Sequence, residues 1–357
     1  MSAPADWTLA IDFGSTTSVA AIRAGEHAEL VEVDGATSMS SGVFLDPAIG
    51  LLAGAPAAQR AAQSPQFFEP APRRRLQEEK VTLGGFDMPA TEVAAAVLER
   101  LHEEACRTQG TPPTKVRLTF PAGWTGSPKL GALGLAAVTA GIQNVRFAPE
   151  AVAAAQHIVN TEDLPVGARL AILDLAGGAL DCAVLENTWW GLVVVGVPGG
   201  LDPFNADGVT DVQAAAHELA ATIEASGLTA DQLAGVYLGR GAADSPDLTT
   251  AVEKLVGVTP RPIPDPAAAI ALGAAVADDD LFTTIGSLSK ATRQAAMARN
   301  KAAGNAVMAA GATAARDFGE DEPEGDIWWR DSGMAITTTL IALGFLMYLI
   351  VYVIGGG

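Results

Sequence analysis

The sequence predicts an α/β fold of two lobes, each built on a mixed β-sheet with helices, the second lobe reduced and a single transmembrane helix at the C-terminal end. Three observations carry this expectation. Leu9-Ala10-Ile11-Asp12-Phe13-Gly14 is an apolar strand that ends in an aspartate and turns through glycine. Leu170-Ala171-Ile172-Leu173-Asp174-Leu175-Ala176-Gly177-Gly178 repeats the scheme about half a chain later. The last 25 residues, from Gly333 to Gly357, hold no charged side chain.

In chain order, short apolar runs predict first-lobe strands over 7–12, 19–22, 28–33, 116–120 and 145–147. Residues 63–79, with Pro65, Pro70 and Pro72, read as an exposed excursion, and Arg73-Arg74-Arg75 within it as a solvated face or, as the alternative, an anionic-partner or lipid contact. Val93, Val97, Leu98 and Leu101 form the apolar stripe of a helix over 90–107. A further helix is expected over 151–158, with Glu150 as its first-turn acid. In the second lobe, Trp189-Trp190 and Val193-Val194-Val195 belong to a strand hairpin, the tryptophans assigned to core or inter-lobe packing. One helix is expected over 211–226.

Composition narrows the class. With 49% apolar and 18% charged residues, 357 residues suffice for two lobes with real cores. The net charge of −19 argues against a nucleic-acid-binding surface, which needs clustered Lys and Arg. Cys106 and Cys182 are the two cysteines, too few for a disulfide framework and suited to a reducing cytosol, Cys182 as a small buried hydrophobe.

The two turns carry the chemistry. In Asp12-Phe13-Gly14-Ser15-Thr16-Thr17-Ser18, glycine permits close backbone approach, and Ser15 and Thr16 add hydroxyl donors for a phosphate. An ordinary hairpin turn is the plainer reading of the motif alone. Asp12 and Asp174 at strand ends suit a hydrated magnesium ion, or serve only as turn residues.

Five motifs follow one another in order. They are the two hairpins, Val116-Arg117-Leu118-Thr119-Phe120-Pro121-Ala122-Gly123-Trp124 with Phe147-Ala148-Pro149-Glu150 behind it, Val236-Tyr237-Leu238-Gly239-Arg240-Gly241, and Pro264-Asp265-Pro266-Ala267-Ala268-Ala269. Across residues 7–277 this order resembles the actin-like ATPase domain of the heat-shock protein 70 family. The resemblance implies ATP and magnesium as cofactors. It implies that Gly14, Ser15 and Thr16 wrap the terminal phosphates and that Gly177 and Gly178 grip them from the other lobe. It further assigns Asp12 and Asp174 to the metal, Glu150 to positioning the attacking water, and Gly239, Gly241 and Asp265 to the nucleoside side.

The departures from that pattern point to a degenerate site. Ala176 and Ala179 stand where the family has glycine and threonine, crowding the second loop. No lysine occurs before Lys80, so the family's catalytic lysine is absent, with Arg60 as a shifted substitute. Phosphoryl transfer depends on positioned positive charge. From Asp181 to Gly239 there are 58 positions, room for one helix and not for a subdomain over the adenine. No β-sandwich peptide-binding domain is expected behind residue 277.

Beyond the domain over 1–280, residues 281–316 are alanine-rich and carry Lys290, Arg293, Arg299, Lys301 and Arg316 without an acid, as expected of a juxtamembrane segment. Residues 317–331 form an acidic linker. Residues 332–357 hold the transmembrane helix and a short tail, with the apolar run 335–354 matching the ~20 residues that cross a hydrocarbon core. Trp328, Trp329, Tyr348 and Tyr352 suit its interfaces. With no apolar stretch before Trp7 and basic residues ahead of the span, the N-terminal domain is expected in the cytoplasm, single-pass on the cytoplasmic membrane. The expected function is a membrane-anchored nucleotide-binding scaffold or regulator that holds protein partners, a pseudo-ATPase. An active ATPase driving a chaperone-like cycle is the alternative, and a small-metabolite kinase ranks last.

Overall fold

The computed structural model describes residues 6–176, 179–201 and 211–277, with the side chains of residues 176, 179 and 201 left aside. The juxtamembrane, linker and transmembrane segments expected over 281–357 lie outside the described residues. Among the described residues no helix is long and apolar enough to cross a membrane.

The chain opens with β1 (Thr8–Phe13), β2 (Thr17–Arg23), β3 (Ala28–Leu30) and β4 (Met39–Ser40). A small sheet follows, β5 (Val43–Asp46), β6 (Gly50–Ala53) and β7 (Phe68–Glu69), with α1 (Ala55–Ala61) between its last two strands. Next come the single turn α2 (Pro72–Arg75), the hairpin β8 (Lys80–Leu83) and β9 (Phe86–Pro89), and the long α3 (Ala90–Gln109). The first lobe closes with β10 (Lys115–Phe120), α4 (Pro128–Thr139) and β11 (Val145–Pro149), which runs directly into α5 (Glu150–Glu162). The second lobe holds β12 (Arg169–Ala176), β13 (Ala179–Thr188), β14 (Gly191–Leu201), α6 (Val212–Ala225), β15 (Gly235–Leu238), α7 (Pro246–Val256) and β16 (Arg261–Pro262), and α8 (Ala269–Val276) ends the described chain.

The two main sheets share one topology. The first is ordered β11-β10-β1-β2-β3, the second β14-β13-β12-β15-β16. In each, a central strand pairs antiparallel with the hairpin partner that follows it, β2 or β13, and parallel with a later strand, β10 or β15. A parallel neighbour requires a crossover, and helices supply it. The duplication inferred from two similar hairpins therefore extends to five strands in each lobe.

Three hydrophobic clusters set the layers. Sheet one packs α3 and α4 on one face through Leu98, Leu101, Leu118, Leu133 and Phe120. Sheet two packs α6 and α7 through Leu173, Leu219, Ile223 and Val252. Between the sheets lie α5 and α8, whose Ala153, Ala154, Ile158, Ala271 and Ala274 join the facing surfaces of both lobes. Arg117 on β10 donates from Nη1 to the carbonyls of Ala274 and Ala275, 2.8 and 3.2 Å away, tying the C-terminal end of α8 to the first sheet. A guanidinium there also complements the negative end of the helix dipole.

Two expectations are corrected. Trp189 and Trp190, assigned to packing, form the β13–β14 tip and are 84% and 92% exposed. A two-residue tip beyond paired strands has no neighbouring layer to bury it. Arg73, read as part of a solvated face, is 5% exposed, because the turn of α2 directs it inward toward the end of β1.

Candidate functional site

The topological equivalence of β1 and β12 places Asp12 and Asp174 at corresponding positions near the strand ends, both buried. Asp12 Oδ1 accepts from the Thr119 hydroxyl at 3.2 Å, and Asp12 Oδ2 accepts from Arg240 Nη2 at 2.6 Å. Asp174 stands opposite Asp181 in the β12–β13 register. Both carboxylate oxygens of Asp181 accept from the Ala122 amide, each at 3.1 Å, so a second-lobe acid caps the single turn of residues 122–124 that follows β10.

Arg240 reaches Asp12 from the loop after β15. The Gly239 amide donates to the Leu173 carbonyl at 2.8 Å and the Leu175 amide donates to the Arg240 carbonyl at 3.2 Å, continuing the β12–β15 pairing past the strand. The loop is thereby pressed onto β12. A Cβ on Gly239 would overlap Asp174 Oδ1, and one on Gly241, at φ 72°, would overlap the Leu175 carbonyl oxygen. Both glycines are required by this close approach.

Arg73 enters from the opposite side. Its Nη1 donates to the Phe13 carbonyl at 2.6 Å, its Nη2 lies 2.8 Å from Glu150 Oε1, and its guanidinium sits 5.2 Å from the centre of the Trp124 ring. The Glu150 contact is an ion pair by distance, while Oε1 has no aligned hydrogen-bond partner among the described residues. Because β11 passes into α5 without a loop, Glu150 is the first residue of that helix, at the end favourable to a carboxylate, and is 3% exposed.

Asp12, Glu150, Asp174 and Asp181 thus share a buried space with Arg73 and Arg240. Carboxylates outnumber guanidiniums, and burial disfavours each uncompensated charge. Burial, against the pull of Arg73 and with help from Asp12, Asp181 and Asp174, pushes the Glu150 carboxyl up to about 8. Burial raises Asp174 to about 6, against Arg240, and Asp181 to about 7, against the Ala122 amide. The Arg240 guanidinium is held above its ordinary range, first by Asp12. Burial raises the Cys182 thiol well above its usual value, in keeping with a core role.

The first turn is braced from within. A Cβ on Gly14 would overlap the Thr17 carbonyl oxygen. The Ser41 hydroxyl donates to the Gly14 carbonyl at 2.8 Å and lies 2.8 Å from the Ser18 hydroxyl, while the Ser41 amide donates to the Thr16 carbonyl at 2.9 Å. Ser15 is buried and Thr16 exposed.

The remaining expected positions fall elsewhere. Gly177 and Gly178 lie outside the described residues, and of Ala176 and Ala179 only the backbone pairing to each other is seen. Asp265 is exposed, at φ 45°, and its carbonyl accepts from the Ala268 and Ala269 amides at 3.0 and 2.9 Å at the start of α8. Arg60, the substitute considered for the missing lysine, is paired with Asp46 and 43% exposed, away from the acids of the two central strands. Of the other residues at the site, Arg73 is expected as part of a solvated arginine run, Ala122 and Trp124 stand inside a motif with no role assigned, and Ser41 stands in none. Arg240 was inside a quoted motif, but its direction was not legible. Among the described residues no group of three or more His, Cys, Asp or Glu side chains is arranged to hold a metal ion.

No family model matches the chain. The chaperone protein DnaK of Elusimicrobium minutum is 26% identical to it over 184 residues, 50% of this chain and 29% of that protein. DnaK of Halobacterium salinarum is 26% identical over 196 residues, 54% of this chain and 31% of the relative. DnaK of Methanothermobacter thermautotrophicus is 27% identical over 185 residues, 50% of this chain and 30% of the relative. The chain therefore has distant DnaK (heat-shock protein 70) homology over about half its length, and the matched stretch spans under a third of these relatives. Its two mixed sheets are consistent with the lobes of an actin-like ATPase.

Proposed function

We propose that the chain is a membrane-anchored, heat-shock-70-like nucleotide-binding module with a degenerate ATP site, which recruits protein partners to the cytoplasmic membrane face as a scaffold or regulator. The observation that carries the reading is the ion pair of Arg240 with Asp12 at 2.6 Å, an internal cation lying where the terminal phosphates and their ion are expected. A cleft whose acids already have a partner inside the protein is suited to weak binding and slow turnover. Two lobes on a hinge transmit closure to a partner when the open and closed states differ in affinity for it.

The fit to the implied cofactors divides. A phosphate has the exposed Thr16 and the two guanidiniums to meet. Magnesium does not fit these residues as they stand, since Asp12 is committed to Arg240 and, among the described residues, no three or more acid, His or Cys side chains are arranged to hold a metal ion. The active ATPase remains the second reading, and one observation favours it: Arg73 brings a buried cation beside Glu150, so the positive charge expected of a lysine is supplied from another residue type.

Calorimetry of the full chain with ATP and magnesium, followed by a turnover assay, separates the two. The degenerate reading expects binding weaker than about 100 μM and turnover too slow to follow in minutes. Micromolar binding with steady turnover, the turnover lost in Glu150→Ala, would establish the ATPase instead. Membrane attachment is tested separately by alkaline carbonate: the full chain should stay in the pellet, and its appearance in the wash would remove the anchor.

A further inference from the structure

We propose that the Arg240 guanidinium is the resident cation of the cleft, occupying the place of a divalent metal between the central-strand acids of the two lobes, so that phosphate groups bind here without one. The ligand class rests on the nucleotide reading above; the role of Arg240 does not.

Four observations converge. Arg240 Nη2 donates to Asp12 Oδ2 at 2.6 Å, joining a residue of the second lobe to the central strand of the first. The Gly239 amide and the Arg240 carbonyl are both bonded to β12, and Gly239 lies so close to Asp174 that no side chain fits between them. The base of the arginine is thus built into the Asp174 side of the cleft while its tip is bonded to the Asp12 side. Third, the acids facing it, Asp12, Asp174 and Glu150, are each under 5% exposed. The buried guanidinium is itself paired here, since Asp12 is bonded to it, and the other cation near these acids among the described residues, Arg73, is engaged with Glu150 and Phe13. Fourth, Arg240 Nε is buried without a hydrogen-bond partner among the described residues. A buried donor left unpaired is costly, and a phosphoryl oxygen is the kind of acceptor that removes the cost by a charge-assisted bond.

A guanidinium and a divalent ion differ in a way that matters for binding. The metal must be captured together with the phosphates, and its loss removes both charge and ligand. Arginine is covalently held, stays protonated, and presents a planar fork of donors that matches phosphate geometry. Its cost is exclusion: while Asp12 is paired with Arg240, a metal cannot reach that carboxylate.

The test uses manganese ion as the probe, on the full chain without nucleotide, read by electron paramagnetic resonance. Wild-type protein is expected to show no manganese site that depends on Asp12. Arg240→Ala is expected to gain about tenfold or more in manganese affinity through the freed carboxylates, the gain disappearing when Asp12→Asn is added. Arg240→Lys, which keeps the charge, should gain no site and serves as the folded comparison. A wild-type site abolished by Asp12→Asn overturns the proposal, as does a folded Arg240→Ala protein with no gain. With ATP as ligand, replacing magnesium by EDTA should change wild-type affinity less than about twofold, and a tenfold loss would overturn metal-free binding. Absence of any ATP binding would defeat the nucleotide reading, and the manganese result would still decide the role of Arg240.

Discussion

Arg73 is held by three contacts of different kinds: a hydrogen bond to the Phe13 carbonyl, an ion pair with Glu150 and the face of Trp124. Removing it leaves Glu150 buried without its counter-charge. Breaking a buried pair of full charges costs about 3–5 kcal/mol, and a smaller loss, about 2 kcal/mol, is expected for Arg73→Met because the Glu150 carboxyl, raised to about 8, already holds its proton at neutral pH. Urea denaturation at neutral pH checks this, and a loss below about 1 kcal/mol would mean that the guanidinium is not structurally required. At the opposite extreme, Trp189 and Trp190 at the hairpin tip have no packing to lose. Trp189→Ser with Trp190→Ser should change stability by no more than about 0.5 kcal/mol while removing the acrylamide-quenchable part of the tryptophan fluorescence that these two contribute. Neither residue's burial was legible from its neighbours. An arginine run and a tryptophan pair each read by type in the usual way, and in both the usual reading was reversed by where the backbone carries the side chain.

The elements were more legible than the side chains. The apolar runs around Leu9 and Leu170 became central strands because buried strands with parallel neighbours have few polar positions to interrupt them. The crossing of α5 and α8 was visible only as two alanine-rich stretches. Small residues let these helices lie close between the sheets, and the closest point is Gly273, where a Cβ would overlap the Ala153 carbonyl oxygen. This decides the sign of a substitution. Glycine to alanine within a helix ordinarily adds up to about 1 kcal/mol of stability. Here overpacking at about 1–3 kcal/mol outweighs it, so Gly273→Ala should lower the melting temperature and Gly273→Val should lower it further. A raised melting temperature for Gly273→Ala would show that the helices can separate at no cost. Because α5 and α8 join both sheets, the same substitution should also loosen the contacts that hold the lobes together.

For the whole molecule, the buried acids make stability depend on pH in the direction opposite to an ordinary salt-bridged carboxylate. Glu150 at about 8, Asp181 at about 7 and Asp174 at about 6 are all raised in the folded protein. An unfolded chain releases these protons at lower pH, so the stability they contribute is complete below the ordinary carboxylate range and is lost as pH rises through those values. Asp34, bonded to the Ala55 amide, and Glu104, bonded to Arg107, are lowered and act only in more acidic solution, where their contribution falls with decreasing pH. The urea midpoint should therefore decline between about pH 4.5 and 8, and Asp181→Asn should flatten part of that decline. A midpoint that rises across this range would mean that the acids are fully ionised and compensated in the folded state.

By itself the sequence determined the strand order of motifs, the placement of an aspartate near the end of each central strand, the helix beginning at Glu150 and the single α-helix among the described residues between Asp181 and Gly239. These follow from local patterns: apolar runs, glycine at tight turns and segment length. The tertiary structure alone decided which cations meet those acids. Arg73 and Arg240 are separated from Asp12 by 60 residues or more in the chain, and periodicity carries no information about where a long flexible side chain ends. It likewise decided that Gly239 and Gly241 are needed for the approach of one loop to β12, since a glycine's reason lies in what comes near it. The matching of β3-β2-β1-β10-β11 with β14-β13-β12-β15-β16 was hinted at by two hairpins and completed only by pairing between distant strands.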